Sequence, residues 1–397
     1  MGSIAWFGSL LFALSAIGLA ALLAQLVSLR LHLRRADALP SEPPEVLPAI
    51  SILKPLCGVD EGLEENLASF AALSYPRYEV LLGVRSTRDP AFAVARAAVK
   101  RWPDRMRVLL QRHEPGRNPK VNQLVGLARA ASFPLLVVSD SNVRVAPDYL
   151  AGIAAAMSDP SVGLVTHPVC GAGERRLGSL FENLHLAGSV GPAIVACHRL
   201  VRREIVVGKS MAMWRADLVR LGGFEAVKDV LAEDQVLGSW IRTRLGKRIV
   251  VARRAVVNVN QDRRVRDFFA RYARWSVLQR KLVGGPAYSA QLFLNPVLLA
   301  LAALSAAPGG DALLAFTAVC AAKIALDGAA ARALRDGGFP LRQLLLVPAK
   351  DLVFGAALLA GFLTDEVEWR GHRLRVLRGT YLTSPEDGAE EAVAAQV

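Results

Sequence analysis

Cysteine is scarce in this chain and carries no pattern. Cys57, Cys170, Cys197 and Cys320 are scattered over 397 residues without a CxxC pair, which points to reduced, structural thiols and away from a disulfide framework or a thiolate metal site. The six histidines form neither HExxH nor another ligand spacing, so no zinc centre is expected. Gly208-Lys209-Ser210 looks like the tail of a phosphate loop, but the upstream glycines are missing and the motif is set aside. A basic stretch ahead of the first apolar run is lacking, as is a clear small-residue cleavage site after it. These absences argue against a cleaved signal peptide and make that run a retained anchor.

Acidic residues are outnumbered: 35 Asp and Glu face 48 Lys and Arg, for a formal net charge of +13. With 53% hydrophobic residues and a mean hydropathy of +0.32, the chain is too apolar for a typical soluble protein. It is also too charged to be all membrane, so one globular domain joined to a few spans is expected. A basic balance suits nucleic acid, an anionic membrane face or a phosphate-bearing substrate. The long apolar runs favour the last two, and no nucleic-acid partner is expected. Residues 4–29 exceed the roughly 20 residues a helix needs to cross the hydrocarbon core. Arg30, Arg34 and Arg35 follow directly and place the next segment in the cytoplasm by the positive-inside rule.

A linker containing Pro40, Pro43, Pro44 and Pro48 leads into alternating elements. Residues 50–53, 79–84, 106–110 and 135–139 read as short apolar strands, and 62–73, 90–102 and 120–131 as helices. That alternation predicts an α/β domain with a largely parallel sheet, whose ligands collect at the carboxyl ends of the strands. Asp89 and Asp140 stand at two such ends. Asp89 also suits a helix N-cap before Pro90, and Asp140-Ser141-Asn142 also suits a turn. The functional reading is a carboxylate ligating a hard divalent cation on a diphosphate.

The chain is organised around residues 229–275. Glu233 and Asp234 open a helical segment there, and Arg271, Arg274 and Trp275 share one face of a second, strongly basic helix. A carboxylate able to take a proton, with paired guanidinium groups for phosphate, suits sugar transfer from a nucleotide diphosphate donor. A solvated charged helix is the plainer reading of the arginines alone. Residues 180–207 mix apolar positions with His198, Arg199, Arg202 and Arg203, as either a core helix and loop or an interfacial surface. Beyond Lys281, residues 287–307 and 312–331 read as an apolar helical hairpin. Residues 344–363 form a third apolar run, interrupted by Pro348, Lys350 and Asp351. If that run spans, the tail with Arg370, Arg373, Arg375 and Arg378 lies outside, against the charge rule; if it is re-entrant, the tail stays inside. Residues 386–397 are expected to be disordered.

KPLCGVD (54–60), YEVLLGV (78–84), DPA (89–91), NPKVNQL (118–124), DSNVRV (140–145), AEDQ (232–235) and RYARW (271–275), in this order and spacing, resemble the ceramide glucosyltransferase family. That family sits among inverting, GT-A-fold enzymes sharing three aspartates and a (Q/R)xxRW motif. The resemblance covers about residues 45–285. It implies a GT-A-type nucleotide-sugar-binding domain with N-terminal and C-terminal transmembrane helices, and a hexose, glucose above all, moved from a UDP-sugar to a lipid hydroxyl, ceramide above all. Asp234 would be the general base, Asp140 the ligand of Mg²⁺ or Mn²⁺, and Asp89 a nucleotide contact. Arg271 and Arg274 would add charge at the diphosphate, Trp275 would line the sugar and acceptor pocket, and Lys120 and Asn122 are further donor-contact candidates. Two positions depart from the family pattern. The metal motif lacks its second aspartate, which implies a loosely held ion. Gly191 precedes Pro192 where animal members carry histidine, so acceptor contacts there do not transfer.

The expected organisation is an anchor over residues 1–35, a catalytic domain over 45–285, membrane segments over 286–365 and a basic, then disordered, tail over 366–397. The setting expected is a bacterial plasma membrane with the catalytic domain cytoplasmic. Rival readings are a hopanoid-pathway or other glycolipid sugar transferase, a processive polysaccharide synthase and a non-catalytic membrane-anchored binding protein.

Overall fold

A computed structural model describes residues 2–34, 47–369 and 372–384. Arg35, the prolines at 40, 43 and 44, Arg370 and the expected disorder over 386–397 lie outside them. The chain divides into two compact units. One is built from residues 32–172 and 197–260, the other from 1–31, 173–196 and 261–397.

The first unit is an α/β fold. Its strands are β1 (Ile50–Pro55), β2 (Tyr78–Val84), β3 (Met106–Leu110), β4 (Leu135–Val138), β5 (Val143–Arg144), β6 (Val162–Thr166), β7 (Val169–Ala172), β8 (Met211–Trp214), β9 (Arg248–Val251) and β10 (Val256–Val259). Seven of them form one sheet in the order β3-β2-β1-β4-β8-β6-β9. β3, β2, β1 and β4 run parallel, as a buried sheet fed by helical crossovers requires. β8 enters antiparallel between β4 and β6. Every residue of β1, β2 and β4 is buried, which is why their sequences are mostly apolar rather than alternating, with Ser51, Lys54 and Glu79 the buried polar exceptions. Leu53, Leu81, Leu136, Val138, Met211 and Leu237 belong to one core. A small sheet, β5-β10-β7, completes the unit.

The second unit is mainly helical. Among the described residues four helices are long and apolar enough to cross a membrane, 6–34, 177–201, 310–334 and 341–360. Residues 177–201 are the most enclosed of these, and they carry the buried Glu182 and His185. The run at 287–307 is not the single helix expected. It bends by 79° between Gly285–Leu294 and Pro296–Ala306, because Pro296 cannot continue a helix and forces Asn295 out of the helical region. Asn295 instead caps the new helix, accepting from the Leu298 amide at 3.2 Å. The interruptions at Lys350 and Asp351 have partners. Lys350 pairs with Asp351 at 2.5 Å and with Asp327 at 3.3 Å, while Lys323 pairs with Asp327 and, at 3.4 Å, with Asp351. All four are buried, so two lysines and two aspartates neutralise one another between the helices Gly310–Leu334 and Val347–Ala360. The basic stretch that follows folds into a three-stranded sheet of β11 (Glu366–Trp369), β12 (His372–Val376) and β13 (Leu382–Thr383).

Candidate active site

The parallel strands β1 and β4 place two motif ends side by side, with Leu53 opposite Val138. Lys54 therefore lies next to Ser139 and Asp140. Its fully buried ammonium sits 3.7 Å from the Phe70 ring centroid and donates to the Asp140 carbonyl at 2.8 Å. Burial brings the Lys54 pKa down to about 7, although Asp140 opposes the change.

Asp140 carries a lysine on each carboxylate oxygen, Lys120 on Oδ1 and Lys209 on Oδ2, both at 3.0 Å. Burial works against its charge, but the two ammonium groups hold its carboxyl well below the usual carboxylate range. Lys209 also donates to Asn142 Oδ1 at 2.7 Å. Ser141, between them, donates to Asp60, so the turn after β4 is secured from both sides.

Lys120 is delivered by the helix Pro119–Ala130. Asn118 caps that helix by accepting from the Lys120 and Val121 amides, and Pro119 fills its first position. The Lys120 ammonium reaches Glu233 Oε1 at 2.8 Å as well as Asp140. Burial opposes this charge too, yet Asp140, Glu233 and Asp234 together hold it above the ordinary lysine range.

Glu233 and Asp234 begin the helix Glu233–Thr243, where negative charge is favoured by the helix dipole. Glu233 is buried against Lys120 and Asn118. Asp234 is half-buried, accepting from the Gly208 amide at 2.6 Å and from the Gln235 amide at 2.7 Å. Burial and the adjacent Glu233 raise its carboxyl to about 7, against the pull of Lys120 and the two amides. A base with its pKa near neutrality is well matched to taking a proton at physiological pH.

The loop 204–210 is fixed to this helix and to the core. Gln235 accepts from the Val206 amide and donates to the Glu204 carbonyl. Ser210 bonds Tyr149 at 2.6 Å and His167 at 2.8 Å. A Cβ at position 208 would run into the Lys120 ammonium and the Asp234 carboxylate, so glycine is what lets the backbone amide come so close.

Asp89 accepts from the Gly58 and Ala91 amides, both at 2.9 Å; it holds the loop after β1 while capping a helix. Asn122 is closed on Gly116, donating to its carbonyl at 2.7 Å and accepting from its amide at 2.9 Å.

The three residues of the basic helix, Val265–Val283, belong to the second unit, where each has its own surroundings. Arg271 pairs with the buried Glu182 at 2.5 Å. Arg274 donates to the Glu368 carbonyl at 3.4 Å and lines a cavity of about 370 Å³ with Ala270, Ala273, Val277, Glu366 and Val367. Trp275 is half-buried, its ring centroid 6.3 Å from that of Tyr272.

The family model described as "Glycosyl transferase family 21" matches residues 10–382. The chain belongs to glycosyl transferase family 21. Ceramide glucosyltransferase 1 of Caenorhabditis elegans is 31% identical over 241 residues, 60% of this chain and 51% of the relative. Ceramide glucosyltransferase 3 of the same organism is 31% identical over 238 residues, 59% and 51% respectively. This family 21 chain thus spans about half the length of the curated relatives it matches. Among solved structures, a Pyrobaculum calidifontis mannosyltransferase in complex with GDP-Man and Mn²⁺ is similar over 89% of this chain and 99% of its own, with TM-score 0.50 and 23% identity. That likeness supports the GT-A-type fold.

Two lysines of the candidate site escaped sequence reasoning. Lys209 stands in the Gly-Lys-Ser stretch set aside for its missing glycines, and its signal was its place just ahead of an apolar strand. Lys54 closes β1 as Asp140 follows β4, and only strand adjacency brings the two together.

Proposed function

We propose that this protein transfers a hexose, glucose above all, from a UDP-sugar to a lipid hydroxyl, ceramide above all, with inversion at the anomeric carbon. The observation that carries the reading is Asp234, a half-buried carboxylate raised to about 7 beside the Asp140–Lys120–Glu233 cluster. The similarity to ceramide glucosyltransferases supports the sugar and acceptor classes.

Asp234 takes the proton of the acceptor hydroxyl as its oxygen attacks the anomeric carbon. The bond from that carbon to the diphosphate breaks, and UDP leaves with the electron pair. Lys120 and Lys209 supply fixed positive charge where the leaving diphosphate gathers negative charge. Glu233, buried on Lys120, keeps that ammonium in place. Arg271, Arg274 and Trp275 are proposed for the diphosphate, sugar and acceptor contacts. Asp89 and Asn122 shape the loops on which donor-side groups are carried.

Among the described residues no three His, Cys, Asp or Glu side chains gather as a metal cage. Asp140 is the carboxylate that would hold Mg²⁺ or Mn²⁺, and an ion there would have to displace Lys120 or Lys209 from its oxygens and draw its remaining ligands from a diphosphate. Mg²⁺ or Mn²⁺ held there would add Lewis-acid charge at the leaving group. EDTA is expected to inhibit turnover and added Mg²⁺ or Mn²⁺ to restore it; full activity in excess chelator would show that the lysines suffice.

The reading is tested by incubating purified protein with a panel of UDP-sugars and lipid acceptors, with products read by mass spectrometry. A single-hexose lipid supports it, a polymer points to a synthase, and no product with any pair overturns it. The catalytic unit is proposed to face the cytoplasm. A cysteine placed at Ser41 should then resist an impermeant thiol reagent in intact cells, and ready labelling would reverse the topology.

A further inference from the structure

The helix 177–201 ends in a π-helical turn, Cys197–Val201, and this end together with Arg202 and Arg203 forms a short finger, residues 197–203, within the α/β unit. The Arg203 amide donates to the Cys197 carbonyl at 3.1 Å and closes it. Arg202 has φ 54°, a left-handed conformation that non-glycine residues seldom take and that ends the helix here. Leu200 and Val201 are 59% and 61% exposed there. Arg202 and Arg203 beside them are exposed, and Arg199 is half-buried. Two exposed aliphatic side chains thus stand among three arginines in sequence.

The finger has a fixed neighbour. His32, in the last turn of the apolar helix Gly2–Arg34, bonds the Ala252 carbonyl at 3.2 Å. It lies within electrostatic reach of His198, Arg199 and the exposed Arg253. His32, Ala252 and the finger all belong to the α/β unit, and His32 directly follows the apolar run in sequence. We propose that residues 197–203 are an interfacial contact for an anionic bilayer surface, with Leu200 and Val201 entering the headgroup–acyl boundary and Arg199, Arg202 and Arg203 meeting lipid phosphates and carboxylates. Amphipathic segments bind interfaces by joining apolar burial to attraction for anionic lipid, and each basic group near such a leaflet strengthens association roughly fivefold. The finger leads directly into the loop 204–210 that bears Gly208 and Lys209, so lipid contact is coupled through the backbone to the carboxylate cluster.

The test uses the full chain in nanodiscs of phosphatidylcholine with or without phosphatidylserine. Its four native cysteines are replaced, and an environment-sensitive fluorophore is placed at Leu200→Cys or, as a control, at Val219→Cys. Val219 is also exposed in this unit, at 66%. The readout does not involve turnover, so it stands or falls separately from the sugar-transfer reading. The expected result is blue-shifted emission at position 200, quenched by doxyl-labelled lipid, stronger with phosphatidylserine and reduced severalfold by Arg199→Gln, Arg202→Gln and Arg203→Gln together. Position 219 should stay water-like. Water-like emission at position 200 in both discs overturns the contact. Equal insertion in both discs, unchanged by the arginine substitutions, overturns the recognition of anionic lipid.

Discussion

Asp234→Asn is expected to lower kcat by about 10²–10⁴-fold, the usual contribution of a positioned base, while leaving UDP-sugar affinity within a few-fold. The substitution keeps the shape that accepts the Gly208 and Gln235 amides and removes the basicity. In the unaltered protein only the ionised carboxylate can take a proton. Activity should therefore rise with pH through a midpoint near 7, falling about tenfold per unit on the acid side, because burial and Glu233 raise the Asp234 carboxyl to about 7. Glu233→Gln removes the like charge next door, so that midpoint should move down. Glu233 is the competing base, but its carboxylate is buried on Lys120 while Asp234 is half-exposed. Near-normal turnover in Asp234→Asn, with loss in Glu233→Gln, would move the base one residue back.

Lys120→Met is expected to have the largest structural effect. Its ammonium neutralises Asp140 and Glu233 and acts on Asp234, and removing one partner from a buried charge cluster typically destabilises by about 3–5 kcal/mol. Thermal unfolding in detergent at neutral pH should show the loss. Asp140 is held below its ordinary range, so its pairing stabilises the fold above about pH 4 and that contribution fades as pH falls. The gap between variant and parent should accordingly narrow in acid. Because Lys120 pulls the Asp234 carboxyl down, the activity midpoint of the variant should shift upward, and turnover should fall about 10²-fold or more from lost charge at the diphosphate. An unmoved midpoint would mean that Lys120 does not act on the base.

The strands that carry Lys54 and lead to Asp89 and Asp140 were legible because both faces of β1, β2 and β4 are buried, which makes them mostly apolar. β8 was harder to place, since Met211–Trp214 is only four residues long and its antiparallel insertion depends on partners 45 and 75 residues away. The 79° bend at Asn295-Pro296 was overlooked because hydropathy averages across a proline that the backbone cannot ignore. The helical spacing of Arg271, Arg274 and Trp275 could not show that Arg271 meets Glu182, 89 residues earlier in the chain. Lys350 and Asp351 looked like defects in an apolar run for the same reason, because their partners Lys323 and Asp327 lie on another helix.

That buried quartet bears on how the protein enters the bilayer. Alone, the helix Val347–Ala360 would carry an ammonium and a carboxylate into hydrocarbon, at about 2.5–3.5 kcal/mol each on insertion scales. The helix Gly310–Leu334 carries a lysine and an aspartate four residues apart, which can cancel each other within their own segment. The earlier helix could thus enter the membrane alone, whereas the later one would need Asp327 and Lys323 to neutralise its own charges. Were the segments inserted in turn, the charged face of one would serve as the template for its successor.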